Sequence, residues 1–247
     1  MLRRRSLMGG GPKDYIEFAN ADIGAYFAER YGDGVGITYA QAATITEFDS
    51  DLKIMDIVGN VGCTFEELNY FTGLVSLPSS FIYGDRDDES KRVTISSLYL
   101  PNLVSVGSQC FAFTNILEFD FPKVSSMGRY AIISSTTKRI VLGDALTDSQ
   151  ESSIGWLDNL EYLYYSNLKT ITHYNALAQM TGATNLKMYI ATPSGPPTID
   201  SSIGTKYYDG IFYVASTAKL YVPSNLISAY QADGAPWTTC FASINAI

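Results

Sequence analysis

The chain has one histidine, two tryptophans and three cysteines among its 247 residues. Because His173 is the sole imidazole, Ser-His-Asp and Cys-His mechanisms have only one residue to pass through. A histidine-rich metal site is excluded by count. His173 sits between Ile171 and Leu177 and beside Tyr174, which reads as a packing or loop position. Cys63, Cys110 and Cys240 are far apart and odd in number, so they form neither a disulfide framework nor a zinc pattern, and buried free thiols are expected. No phosphate-binding loop and no dinucleotide fingerprint is present. Charged residues make up only 17% of the chain, with 17 basic against 25 acidic groups and a net charge of −8. That balance repels nucleic-acid phosphates and anionic membranes. No segment approaches the ~18 uncharged apolar residues of a membrane span. No cofactor, no metal, no nucleic-acid partner and no membrane insertion are therefore expected.

Aromatic residues are abundant, with 18 Tyr and 12 Phe, a composition suited to β-structure. The densest basic cluster is Arg3, Arg4 and Arg5, followed by Ser6 to Pro12, a flexible linker and not the apolar stretch of a signal peptide. Residues 1–14 thus read as a basic anchor or linker. Residues 15–73 read as a mixed, mostly helical cap: an extended piece from Tyr15 to Phe18, a helix from Asp22 to Arg30 capped by Asp22, and a helix from Thr38 to Ala43 capped by Thr38. Thr64-Phe65-Glu66-Glu67 has capping-box spacing and predicts a further helix from Thr64 to Phe71. Asp33 lies in Gly-Asp-Gly-Val-Gly, too poor in oxygen ligands for a calcium loop and suited to a turn. Asp85 to Arg92 is the densest charge run, and its mixed signs predict an exposed loop.

From residue 74 to 247 a repeat emerges. Leu100-Pro101-Asn102-Leu103-Val104-Ser105-Val106-Gly107 aligns with Phe121-Pro122-Lys123-Val124-Ser125-Ser126-Met127-Gly128, 21 residues later, and Phe111 falls on Ile132. Arg139 to Gly143 repeats the strand part after another 21 residues, and looser copies stand at Tyr162–Tyr165, Lys187–Ile190 and Lys219–Val222. One short strand per period, with two inward apolar residues, cannot bury its face alone, but stacked copies form a parallel sheet over a continuous core. Proline after the strand ends it, because the ring lacks the N–H a ladder needs. The glycine at Gly107 and Gly128 is expected to permit a turn.

Leu100 to Phe111 resembles the BspA-type (Treponema pallidum-type) leucine-rich repeat, LP-x-x-V-x-x-I-G-x-x-A-F, with Cys110 in place of Ala. Phe65 to Leu74 is similar to the lead-in segment of members from gut bacteria and their phages. Lys219-Leu220-Tyr221-Val222-Pro223, followed by Ala229-Tyr230 and Trp237, is similar to their closing strand and capping helix. The resemblance implies an α+β repeat solenoid: an irregular leucine-rich-repeat array with a short parallel sheet, a small helical N-terminal segment and a C-terminal capping helix. It implies recognition and no catalysis. The expected role is a virion surface component of a phage, such as a tail or head fibre, receptor-binding or decoration protein, at the virion surface. Its partners would be other virion proteins and a host-cell surface receptor or glycan, and a homo-oligomer is expected. A bacterial cell-surface adhesin is the alternative, and a glycan hydrolase on a repeat scaffold the third reading.

Strand alternation places Leu98 and Leu100 inward, so Tyr99 and its equivalents Asp120, Val141, Tyr164, Tyr189 and Tyr221 point outward in one column. Ser97, Glu118, Arg139, Tyr162, Lys187 and Lys219 form the flanking column. Tyr99, Asp120, Tyr162, Tyr164, Tyr189 and Tyr221 are the candidate binding face, and Arg3, Arg4 and Arg5 the candidate assembly anchor. Tyrosine offers rigid amphipathic area to a ligand, although stacked tyrosines also stabilise neighbouring strands.

Overall fold

Residues 14–133, 136–149, 152–173, 177–200, 212–232 and 234–247 are described by a computed structural model. The anchor arginines Arg3, Arg4 and Arg5 lie outside the described residues. The chain forms a parallel β-solenoid of about six turns with few helices.

The sequence pattern accounts for one side of each coil. Its strands are Leu98–Tyr99, Glu118–Phe121, Arg139–Leu142, Tyr162–Tyr165, Lys187–Ile190 and Lys219–Val222, joined side by side in a parallel sheet. Their pairing follows the expected register, with Leu98 opposite Phe119, Ile140 opposite Leu163 and Tyr164 opposite Tyr189. Every second residue is buried: Phe119, Phe121, Ile140, Leu142, Leu163, Tyr165, Met188, Ile190, Leu220 and Val222 all lie against the core. Phe121 ends its strand immediately before Pro122, as the missing N–H requires.

One strand per period is an undercount. After each corner the coil makes a second short strand, such as Ser105–Val106, Ser126–Met127 and Thr170–Ile171, and then a third, such as Phe111–Ala112, Ile132–Ile133 and Ile154–Gly155. The third strands form a five-stranded parallel sheet that continues through Leu177–Met180 and Phe212–Val214. Many of these strands are two residues long, too short for alternation to show in a sequence.

Gly107 and Gly128 do not supply a turn conformation, since neither has a positive φ. A Cβ on Gly128 would stand 2.5 Å from the Ser108 amide nitrogen of the previous coil, and one on Gly107 would meet the Pro78–Ser79 backbone. The glycines allow coil backbones to approach. Buried threonines reinforce the stacking: the Thr137 hydroxyl donates to the Ile116 carbonyl and that of Thr192 to the Leu168 carbonyl, each at 2.7 Å. Such bonds satisfy groups that would otherwise be buried without partners.

The N-terminal helices begin where polar caps allow. The first spans Ala21–Arg30, and its cap is Asn20, not Asp22: the Asn20 side-chain Oδ1 accepts from the backbone N–H groups of Asp22 and Ile23, each at 3.0 Å. Thr38 caps Tyr39–Ala42 in a full capping box with Gln41. The expected helix from Thr64 to Phe71 is instead a strand, Cys63–Thr64, followed by a 3-10 helix, Glu66–Tyr70, without a side-chain cap. Glu66 and Glu67 are taken by distant donors, the amides of Ser96 and Ala19, each at 2.6 Å. A third helix, Ile54–Ile57, carries no side-chain cap for a sequence reading to find. The strand Cys63–Thr64 pairs with Val93–Ile95, and one apolar core runs unbroken from Ile16 to Phe241.

At the C-terminal side the expected capping helix is two short helices, Ile227–Tyr230 and Trp237–Cys240, whose Tyr230 and Trp237 rings meet edge to face at 5.2 Å. The chain then adds a seventh strand, Ser243–Ala246, to the long sheet. Of the cysteines only Cys110 is fully buried, and burial pushes its thiol pKa well up. Cys63 and Cys240 are half-buried, contrary to expectation, and burial lifts Cys63 to about 11.

Tyr165 fills an inward position that smaller residues occupy elsewhere, and burial raises its pKa above the ordinary value, as it does for Tyr230. The sign follows from proton linkage: above the unfolded tyrosine pKa of ~10, the unfolded state loses protons that the folded state keeps. Stability is therefore full below about pH 10 and falls as pH rises beyond it. Urea midpoints at pH 9 and pH 11 check this; the Tyr165→Phe variant should lose less than the parent between the two.

Candidate functional site

The outward face of the long sheet carries the candidate residues, and the strand pairing sets them in two columns. Tyr164, Tyr189 and Tyr221 are paired residues on consecutive strands, with Tyr162 in the adjoining column. Their rings touch. Tyr189 and Tyr221 stack with centroids 4.6 Å apart and planes 14° from parallel. Tyr162 lies 4.7 Å from Tyr189 and 6.5 Å from Tyr164, while Tyr164 lies 6.3 Å from Tyr189. All four are half-buried by one another.

Two further residues extend the ladder. The Arg139 guanidinium sits over the Tyr162 ring at 5.3 Å, a cation–π contact, and Val141 separates Asp120 from Tyr164 in the column. Partial burial, with Glu118 beside it, raises the Asp120 carboxyl pKa, and Arg139 acts in the opposite direction. Tyr99 is exposed and stays apart: three strand spacings, about 14 Å, separate it from Tyr164. Of the six candidates, Tyr162, Tyr164, Tyr189 and Tyr221 make one surface, Asp120 lies at its electrostatic edge, and Tyr99 is outside it.

A cleft of about 730 Å³ opens beside this surface, lined by Glu161, Tyr162, Thr184, Lys187, Thr217 and Lys219 among others. Its tyrosine wall and its hydroxyl, ammonium and carboxylate rim suit an extended polar ligand. Lys187 and Lys219 are paired residues in the flanking column. The loop residues Thr184 and Thr217, linked by a 2.6 Å hydrogen bond from the Thr217 hydroxyl to the Thr184 carbonyl, were not among the sequence candidates. Only the folding of two coils brings them to the strand face.

The other sequence candidates for chemistry fall in ordinary places. His173 is exposed in a bend. Asp33 closes a turn, its Oδ1 accepting from the Val35 and Gly36 amides and its Oδ2 from the Tyr15 hydroxyl at 2.8 Å. Within Asp85 to Arg92 the expected loop is more ordered than its charges suggest. Arg92 is buried, donating to the carbonyls of Asp85 and Arg86 at 2.9 and 2.8 Å, and Asp88 caps the short helix Glu89–Lys91. Among the described residues no group of three or more His, Cys, Asp or Glu is placed to hold a metal ion. No helix of the described residues is long and apolar enough to cross a membrane.

Comparison of the chain with protein-family models, with curated proteins and with solved structures gives no match.

Proposed function

We propose that this protein is a non-catalytic recognition module whose contact surface is the tyrosine ladder Tyr162, Tyr164, Tyr189 and Tyr221. The observation that carries the reading is the continuity of four touching rings with a cleft rimmed by lysines and hydroxyls. Amphipathic rings with few rotatable bonds lose little entropy on binding, which suits them to protein or glycan ligands. Asp120 and Arg139 set the charge at one end of the surface.

The wider setting rests on the repeat motif. Its likeness to the BspA-type leucine-rich repeat supports a virion surface component of a phage, a fibre, receptor-binding or decoration protein at the virion surface. In that setting Arg3, Arg4 and Arg5 would anchor a homo-oligomer to other virion proteins, and the solenoid would meet a host-cell receptor or glycan. A bacterial surface adhesin would use the same face. Mass spectrometry of purified virions decides between them, since absence from the particles removes the phage reading.

The ladder itself is tested by attachment to host cells. Tyr164→Ala combined with Tyr189→Ala should reduce attachment at least ~100-fold, if two aromatic anchors contribute ~1.5 kcal/mol or more each. Because the rings also support one another, the double variant should lose about 1–3 kcal/mol of stability, which leaves a folded protein to assay. Tyr189→Phe keeps the stack and should keep the fold intact. Attachment that survives the double variant in a folded protein would exclude the ladder as the contact surface.

A further inference from the structure

The outward face of the long sheet carries opposite charges toward its two ends. Glu118 and Asp120 point outward from the second strand, Glu118–Phe121. Lys187 and Lys219 stand side by side on the fifth and sixth strands. Arg139, Val141, Tyr162 and Tyr164 lie between them on the third and fourth. Glu118 is half-buried and both lysines are exposed, and none of the three makes an ion pair within the described residues. Arg139, one strand from Glu118, is turned over the Tyr162 ring. Three strand spacings, about 14 Å, separate Glu118 from Lys187, and the two neighbouring lysines repel each other. On the first strand Tyr99 is 49% exposed and touches no other ring among the described residues.

These features complement a rotated copy of the same face. A two-fold axis parallel to the strands, placed between the third and fourth, keeps strand direction and reverses strand order in the facing copy. Glu118 then lies opposite Lys187, Asp120 opposite Tyr189, and Tyr99 opposite Tyr221. At the centre Val141 faces Tyr164 and Arg139 faces Tyr162. Carboxylate meets ammonium or phenol, guanidinium meets an aromatic ring, and no like charges oppose each other. A two-fold axis perpendicular to the strands instead sets Glu118 against Asp120 of the other copy, twice over. The charge pattern therefore selects the first arrangement.

We propose that this face pairs with the same face of a second copy of the chain, as a symmetric dimer across that axis. Facing sheets align within about 30°, which keeps the pairs nearest the axis in register. The six strands it covers give a footprint of roughly 400 Å² per copy. A standard interface uses about 800 Å² per partner, so this dimer is weak and reversible. A ligand of the tyrosine ladder competes with the second copy, and the pairing itself does not rest on the ladder reading.

Sedimentation velocity of the full chain tests the pairing, from about 10 μM to about 1 mM, the range of weak contacts. A monomer–dimer equilibrium is expected, shifted toward monomer in ~1 M salt, which screens the ion pairs. Glu118→Lys and Lys187→Glu each set like charges across the axis, and each alone should weaken association at least ~10-fold. An equimolar mixture of the two variants should associate again, because each supplies the charge that the other lacks. The chain carrying both substitutions should likewise recover the dimer. Melting temperatures establish that the variants are folded. Where a charge variant does not fold, Tyr99→Ala takes its place: it should weaken association, and an unaltered equilibrium counts against the pairing. A chain that stays monomeric at every concentration overturns the proposal. So does a dimer that ignores both charge reversals, or a pair of variants that remain monomers when mixed. No ligand enters the measurement, so a failure here leaves the ladder reading standing, and a failed attachment assay leaves the pairing standing.

Discussion

Phe119→Ala is expected to lower the free energy of unfolding by about 3–5 kcal/mol, a large part of the ~5–15 kcal/mol typical of a domain. Phe119 is fully buried on the inner face of the long sheet, between Phe111 at 5.2 Å and Phe121 at 5.5 Å. Phe111 belongs to the third strand of a coil and Phe119 to the first strand of the next. Removing the Phe119 ring therefore opens a void between two sides of the solenoid. Collapse to fill it is hindered because the coil corners are tied by backbone hydrogen bonds on both sides, such as Ser125 to Val104 and Lys138 to Leu117. The loss combines the ring's transfer free energy with the cavity that remains. Urea denaturation followed by circular dichroism gives the number directly. A cost under about 1 kcal/mol would mean that the coils slide to close the void, contrary to a close-packed core.

The second large effect is expected at Gly143, the residue after the strand Arg139–Leu142. There a Cβ would be driven into the carbonyl group of Pro122 in the coil below, well inside any contact distance. The obstacle is backbone, which cannot rotate away as a flexible side chain would. Gly143→Ala should therefore cost about 3 kcal/mol, the upper end of the overpacking range, or prevent folding. Gly59→Ala is the internal comparison. Gly59 has φ +63° with open space around its Cβ position, so its substitution carries only the left-handed penalty of about 1–2 kcal/mol. Melting temperatures of the two variants should rank in that order. The reverse ranking would show that coil spacing is looser than the glycine column implies.

Both effects arise from stacking, and stacking is what the repeat encodes. The inward pairs Leu98 with Leu100, Phe119 with Phe121 and Ile140 with Leu142 recur 21 residues apart, so the strands, their register and the outward columns could be read directly. The same reading placed Tyr164, Tyr189 and Tyr221 in one column and Tyr162 beside them. It could not tell that Tyr99 is cut off from the ladder, because which rings touch depends on the residues between, here Asp120 and Val141.

Where the period fails, the reasons are physical. Strands of two residues, such as Ser105–Val106 and Phe111–Ala112, are too short to show alternation, so the strands outside the long sheet were invisible. The spacing of Thr64 to Glu67 is that of a cap, but both carboxylates are drawn to amides 30 and 48 residues away, a competition local patterning cannot register. Glycine at 107 and 128 suggested a turn, since sequence shows an absent side chain but not the neighbouring coil that requires its absence. The small aromatic group of Phe113, Tyr130 and Trp156 was hidden for a similar reason: nothing in the residue types reveals that these three stand at left-handed corners.

By itself, then, the sequence determined that this chain stacks repeated strands over a shared apolar core, and which residues of the long sheet face outward. Periodicity is a local, repeated property, and it survives translation into coordinates. Tertiary structure alone decided that the coils carry further short parallel strands beside the long sheet, and that four tyrosines meet as one surface. Those features depend on contacts between coils, where distance in space and distance along the chain are unrelated.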